Sequence, residues 1–313
     1  MDVLVTGASG HVGAALLHEL LNAGHRVRAL VRSDTRSLRG LDVEPLRGDV
    51  TDAESLARAC KGAEVVLHAA ARIALQSKTD PETERTNVEG TRNVLHAARA
   101  AGIRRVVHFS SAHAAAAGAS QYERTKASAE VEVQRAVAKG MDVVVLRPCA
   151  VIGPHDHKPS PMGRVLMLIA TRRLPATVRG GQSWVDVRDV ARSAVRAMSA
   201  GRSGACYTLA GHWQPMSDLA ALTARAAGVS PPLLSVPTRV ARAFAPVVER
   251  GFLLLRQPPL VSASSMDALE SIPRPMDPDA ARDLGHQRRS LESTLEDAVS
   301  WYEQQGMIRR GRR

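Results

Sequence analysis

Two hydrophobic rhythms alternate along the first half of the chain. Short continuous apolar runs, each bounded by glycine, proline or charge, read as strands buried on both faces: "DVLVTG" (2–7), "RVRALVR" (26–32), "EVVLHAA" (64–70), "RVVHFSS" (105–111) and "DVVVLRP" (142–148), the last stopped by Pro148. Between them the apolar positions recur at helical spacing. Val12, Leu16, Leu20 and Ala23 form one stripe with Gly24 as its stop. Further helices are expected over 51–62, 81–102 and 121–140; in the first, Thr51 stands three residues before Glu54, the spacing of a capping box. Strands alternating with helices imply parallel pairing through right-handed crossovers, hence an α/β chain with a doubly wound parallel sheet covered on both faces.

After Pro148 the rhythm changes. Loops rich in proline and glycine (153–163, 228–237 and 272–278) separate helices expected near 187–200, 217–227, 238–254 and 290–305. The division implied is residues 1–150 around the sheet and a smaller, mostly helical portion over 151–313, interleaved with the last sheet elements. Residues 239–255, "RVARAFAPVVERGFLLL", are amphipathic to strongly apolar. They suit a buried helix or an apolar lid over a substrate pocket better than a segment lying on a membrane.

At 313 residues and 44% hydrophobic, the chain has enough apolar material for a large core. No apolar run approaches the ~20 residues of a membrane span. The first strand begins at Asp2, so no signal peptide and a cytoplasmic location are expected. Cys60, Cys149 and Cys206 lie far apart and read as free thiols. The net charge of +11 could serve nucleic acid, but the basic residues are scattered, aromatics are 3%, and the one dense cluster is the tail 309–313. The expected partner is therefore a small molecule and not nucleic acid, with the chain a monomer or homodimer.

Candidate chemistry starts at "TGASGHVG". Gly7, Gly10 and Gly13 directly follow a strand and open a helix. Gly7 allows a tight turn, Gly10 lets backbone approach a pyrophosphate, Gly13 allows close helix-to-strand packing, and the helix N-terminus favours phosphate. At the end of the second strand stand Arg32 and Ser33, where an NAD-specific site commonly has an acid for the ribose 2′-hydroxyl. Arg32, with Arg36 nearby, suits a 2′-phosphate, so NADP (NADPH) is the expected cofactor; Asp34 can still reach a ribose, and NAD remains open.

The GxxGxxG spacing, with "RGDVTD", "HAAA", "TNVEGT", "RPCAVIGP", "WVDVRDVA" and "YTLAG", resembles the extended short-chain dehydrogenase/reductase family of NAD-dependent epimerase/dehydratase type, over residues 2 to about 305. Within it, the last thirty residues are similar to the dihydroflavonol reductase and 3β-hydroxysteroid dehydrogenase branch. The resemblance implies a Rossmann-type sheet with a C-terminal substrate portion. It implies cofactor contacts from Ser9, His11 and Val12 beside the three glycines, and from Asp49 and Val50 at the adenine. Ala69, Ala70, Ala71 and Asn87 would line the cofactor, and Pro148 and Val151 would flank the nicotinamide, with Ile152 where the family usually has tyrosine.

Tyr122 and Lys126 stand four apart on an expected helix and share a face. A nearby ammonium favours phenolate, so Tyr122 can exchange a proton with a carbonyl or alcohol oxygen, and the Ser111 hydroxyl can bond the same oxygen. Ser111 is preferred to Ser110 because the family's catalytic serine usually precedes a small residue, here Ala112. Six of the ten residues between Ser111 and Tyr122 are alanine, and many extended members carry a much longer insert here. His113 beside the serine is either an orienting group or an exposed loop histidine. His155 and His157 are read as polar lining of the substrate cleft; no third ligand at suitable spacing accompanies them, so no metal is expected. Together these residues point to an NADP(H)-dependent ketone reductase or alcohol dehydrogenase acting on a medium-sized apolar substrate. A nucleotide-sugar epimerase or dehydratase would use the same Tyr122. A non-catalytic NAD(P)-binding sensor would need none of Ser111, Tyr122 and Lys126.

Overall fold

The computed structural model describes residues 1–73, 80–116, 120–244 and 277–309. Its first half runs β1 (Asp2–Thr6), α1 (His11–Asn22), β2 (Arg26–Val31), β3 (Val43–Arg47), α2 (Ala53–Cys60), β4 (Val65–His68), α3 (Pro81–Glu84), α4 (Gly90–Ala100), β5 (Arg105–Phe109), α5 (Gln121–Ala138) and β6 (Val143–Pro148). Helices α3 and α4 are joined by a π-helical turn, Arg85–Glu89. The second half runs β7 (Ala150–Ile152), α6 (Pro161–Ala170), β8 (Ala176–Val178), β9 (Gly181–Asp186), α7 (Val187–Ala197), β10 (Cys206–Leu209), β11 (His212–Pro215), α8 (Met216–Ala227), β12 (Leu234–Val236), α9 (Pro278–Leu284) and α10 (Leu291–Gln304).

Seven strands form one parallel sheet in the order β3-β2-β1-β4-β5-β6-β10. It is the expected doubly wound, Rossmann-type sheet. Alternate side chains of each strand enter opposite cores. Val3, Val5, Val65, Leu67, Val144 and Leu146 face α1, α7 and α9, whereas Leu4, Val66, Val106 and Val145 face α2, α4 and α5. Burial on both faces is why these strands read as unbroken apolar runs. The strand order reverses between β1 and β4, so the turns after Thr6 and His68 open into one crevice at the carboxyl edge of the sheet, where doubly wound folds bind ligands.

Strand β3 escaped the apolar pattern because it is the sheet's edge: Glu44, Pro45 and Arg47 are exposed and only Val43 is buried. Helix α2 is capped by Asp52, which accepts from the amides of Glu54 and Ser55, and not by Thr51. The Thr51 hydroxyl is already committed to the Asp49 carboxylate at 3.0 Å. Cys60 and Cys149 are buried free thiols, which burial pushes up to about 11.

Beyond β6 the chain returns to the sheet through α7, β10 and α9. The rest builds a third core of Ile152, Leu166, Trp184, Leu219, Leu295 and Trp301 among α6, α8 and α10. Small sheets β7-β9-β11 and β8-β12 brace it. Helix α6 was masked in the sequence by a proline-rich stretch. Its Ser160 cap, bonded to the Gly163 amide, and its Pro161 at the first position are start signals, not breakers. Residues 238–244 are helical as expected, but Val240 and Phe244 are exposed there and not buried; residues 245–255 lie outside the described residues.

Candidate functional site

The glycine turn after β1 is built around one carbonyl, that of Gly7. Gly7 has φ +75°, and a Cβ there would lie 2.5 Å from the Ala70 nitrogen. A Cβ on Gly13 would lie 2.0 Å from the Gly7 oxygen, so only glycine lets α1 sit this close to the strand. The Gly10 amide donates to the same oxygen at 2.9 Å. Gly10 is the N-cap of α1 and supplies no side chain, so no cap side chain satisfies the first amides of the helix, at His11, Val12 and Gly13. A cradle this close, ending on an uncapped helix N-terminus, fits a dinucleotide pyrophosphate.

At the other end of the crevice, Asp49 accepts from the Thr51 amide at 2.9 Å, and its second oxygen lies 3.6 Å from the Arg32 guanidinium. Val50 is buried, its carbonyl taking a bond from Asn93 at 3.1 Å. Arg36 folds back on Asp34 through two bonds of 2.9 and 2.7 Å, which hold the Asp34 carboxyl down to about 2. Arg32 instead enters a cleft of about 580 Å³ with Arg47, Asp49, Asp52, Ser55 and Arg58. Arg47 was not anticipated because the edge strand that carries it was itself unread, and Arg58 lies on the expected helix over 51–62 with no local signal to single it out.

A buried polar chain ties the glycine turn to the helix bearing Tyr122. The Thr6 hydroxyl donates to His68 Nδ1 (2.7 Å), His68 Nε2–H to the Thr91 hydroxyl (3.0 Å), and Thr91 to the Asn87 carbonyl (2.7 Å). This direction follows from counting protons: Thr91 spends its own on Asn87, so the imidazole must supply the other. Burial pushes His68 down to about 3, which keeps it neutral in that tautomer. Asn87, only 2% exposed, accepts from the Arg72 amide (2.8 Å) and donates to the Arg72 carbonyl (3.0 Å) and to Thr125 (2.9 Å). Thr125 in turn donates to the Tyr122 carbonyl at 2.9 Å. The Asn87 amide is thus committed to protein groups, holding the Ala69–Ala70–Ala71 segment through Arg72. Of this chain Asn87 was expected at the site, and His68 only as the first residue of the "HAAA" segment; polar residues inside apolar runs were the available signal for the rest.

Helix α5 begins with a capping box: Ser120 accepts from the Glu123 amide (3.2 Å) and Glu123 from the Ser120 amide (3.1 Å). This fixes Tyr122 in the first turn, where Ser111, just past β5, hydrogen-bonds its phenol. Ser110 is buried with no side-chain partner among the described residues. One turn on, the Lys126 ammonium donates to the Phe109 carbonyl at 2.6 Å. Burial pushes the phenol up to about 12, with the Ser111 bond opposing, and pulls Lys126 down to about 8. The expected lowering of the phenol by Lys126 is not seen: burial raises it most, the Glu123 charge adds to the rise, and the Ser111 bond alone opposes them. His113 is largely buried: its amide donates to the Ser111 oxygen (3.2 Å), and its ring lies 3.4 Å from Glu123.

Pro148 ends β6 beside Leu209, and Val151 lies in β7 beside Val185. His155 stacks on His18 of α1 at 4.1 Å between ring centroids, and His157 meets Trp301 of α10 edge-on at 4.9 Å. His11 is bonded to the Pro154 carbonyl at 2.9 Å. His155 thus seams the C-terminal portion to α1 while His157 packs within that portion, and among the described residues no hydrogen bond links either to Ser111, Tyr122 or Lys126. Among the described residues no group of three or more potential ligands is placed to hold a metal.

Residues 3–210 match the NAD dependent epimerase/dehydratase family. The chain belongs to that family. It is 36% identical to the sterol demethylase protein B of Methylococcus capsulatus, over 98% of this chain and 100% of the relative. It is 33% identical to a putative dihydroflavonol 4-reductase of Synechocystis, over 97% and 95%. The crystal structure of gox2253 superposes with a TM-score of 0.84 at 32% identity, covering 98% of this chain and 99% of that one. The protein is accordingly an enzyme of the NAD-dependent oxidoreductase and epimerase class.

Proposed function

We propose that the protein is an NADP(H)-dependent reductase or dehydrogenase that interconverts a ketone and a secondary alcohol on a medium-sized apolar substrate. The observation carrying this reading is the convergence of Ser111, Tyr122 and Lys126 beside the crevice between β1 and β4. Gly7, Gly10 and Gly13 with the α1 amides would hold the pyrophosphate, and Lys126 would hold the nicotinamide ribose. When bound, the nicotinamide supplies or accepts a hydride. Tyr122, protonated at neutral pH, donates its proton to the carbonyl oxygen as the alcohol forms, and Ser111 holds that oxygen by a hydrogen bond. Arg32, Arg47 and Arg58 line one cleft together with Asp49 and Asp52; three guanidiniums against two carboxylates there support a 2′-phosphate, hence NADPH over NADH. The sterol and flavonol names of the two relatives support an apolar, cyclic substrate.

The family description keeps a second reading in view, an epimerase or dehydratase acting on a nucleotide sugar. Purified protein is assayed by nicotinamide absorbance against cyclic and alkyl ketones with NADPH, and in parallel against UDP- and dTDP-sugars. NADPH consumption with an apolar ketone supports the reductase. Sugar conversion without net cofactor consumption overturns it.

A further inference from the structure

Seven large hydrophobic side chains are exposed among the described residues, and four of them crowd into 233–244: Leu233 (93%), Leu234 (66%), Val240 (44%) and Phe244 (62%). Isolated exposed apolar groups are ordinary; a cluster on one short stretch marks an interaction surface. Leu234 lies on β12, which among the described residues pairs only with β8. The Arg179 amide donates to the Val236 carbonyl at 2.9 Å, and the Thr177 hydroxyl donates to the Leu234 carbonyl. Val240 and Phe244 stand four apart on the helical turn that follows, sharing a face.

The stretches of sequence that carry this patch bear basic side chains and no acidic ones. Arg172, Arg173, Arg179 and Arg239 are exposed and form no ion pair among the described residues. Neither 157–185 nor 219–248 contains an aspartate or glutamate, in a chain with 31 of them. A second copy of the chain docked here through a two-fold axis would set arginine against arginine. An anionic bilayer surface satisfies both halves of the patch: apolar side chains enter the headgroup boundary while arginines meet lipid phosphates.

We propose that the Leu233–Leu234 and Val240–Phe244 face, with its flanking arginines, docks on anionic phospholipid membranes as a peripheral contact. No helix among the described residues is long and apolar enough to cross a bilayer, so the contact is on the surface. The proposal stands on these surface residues and does not rest on the reductase reading.

The test is co-sedimentation of the full chain with vesicles of phosphatidylcholine alone, or with roughly a third phosphatidylglycerol, at low and high salt. The wild type is expected to pellet with the anionic vesicles and to be released by salt. Arg172→Gln with Arg173→Gln should lower the partition coefficient by about 25-fold, since each arginine near an anionic leaflet is worth about fivefold. Leu233→Ser with Leu234→Ser should abolish binding at low salt, with the far-UV circular dichroism and thermal midpoint of either variant unchanged from the wild type. Three results overturn the proposal. The wild type stays in the supernatant with anionic vesicles. Removal of the tail 309–313 abolishes binding while the leucine variant retains it. Or the leucine variant binds vesicles normally but turns a dimer into a monomer on gel filtration, which gives the face to a second copy.

Discussion

Replacing Lys126 by arginine keeps a cation near Phe109 but takes its proton equilibrium out of the working pH range. Lys126 is 3% exposed, and burial pulls its pKa down to about 8 while Glu130 opposes the fall. A lysine with a lowered pKa is charged below that value and neutral above it. If the ammonium holds the nicotinamide ribose, raising the pH through about 8 replaces a charge-assisted bond by a neutral one, a loss of about 1 kcal/mol, or about fivefold. The kcat/KM for NADPH reports groups of the free enzyme. It should be level below pH 7, fall around pH 8, and reach a plateau about fivefold lower by pH 10. Arginine stays charged across this range, so Lys126→Arg should show no such limb, whatever its absolute rate. Glu130→Gln removes the carboxylate that supports the ammonium and should move the midpoint below 8. The assay is the initial rate at subsaturating NADPH and saturating ketone, from pH 6 to 10. A wild-type profile without a limb, or a limb that survives unchanged in Lys126→Arg, would refute the assignment.

Tyr122→Phe should lower kcat by ~10²-fold or more with NADPH binding nearly intact. Ser111→Ala should also lower kcat, whereas Ser110→Ala should not; steady-state rates that reverse the two serines would move the hydroxyl to Ser110. Gly13→Ala places a methyl 2.0 Å from a backbone oxygen. It should weaken NADPH binding by ~100-fold on a fluorescence titration, with far-UV circular dichroism little altered, because a displaced α1 ruins the phosphate cradle before it unfolds the sheet. Arg32→Asp should erase or invert the NADPH preference, and Arg58→Gln should reduce it by ~10-fold, about one charge-assisted bond; an unchanged NADPH/NADH ratio in both would remove the 2′-phosphate from this cleft.

Alternation of apolar runs with helical stripes was enough to give the parallel sheet, since strands buried on both faces have no choice but to be apolar throughout. The glycine spacing likewise gave the tight turn between β1 and α1, and the four-residue step gave Tyr122 and Lys126 one helix face, because both are local geometry. Edge strand β3 was illegible for the opposite reason: solvent, not packing, surrounds most of its side chains. What the sequence could not supply is any quantity set by neighbours from distant segments. The phenol of Tyr122 lies up at about 12 because the fold buries it, while the lysine four residues on spends its charge on a carbonyl of β5. The chain of bonds from Thr6 through His68 and Thr91 to Asn87 and Thr125 joins β1, β4, α4 and α5, and it exists only once the sheet has stacked those elements in register. Arg47 meets Arg32 for the same reason. Local propensity acts within a few residues, whereas desolvation, hydrogen-bond closure and charge convergence belong to the packed molecule.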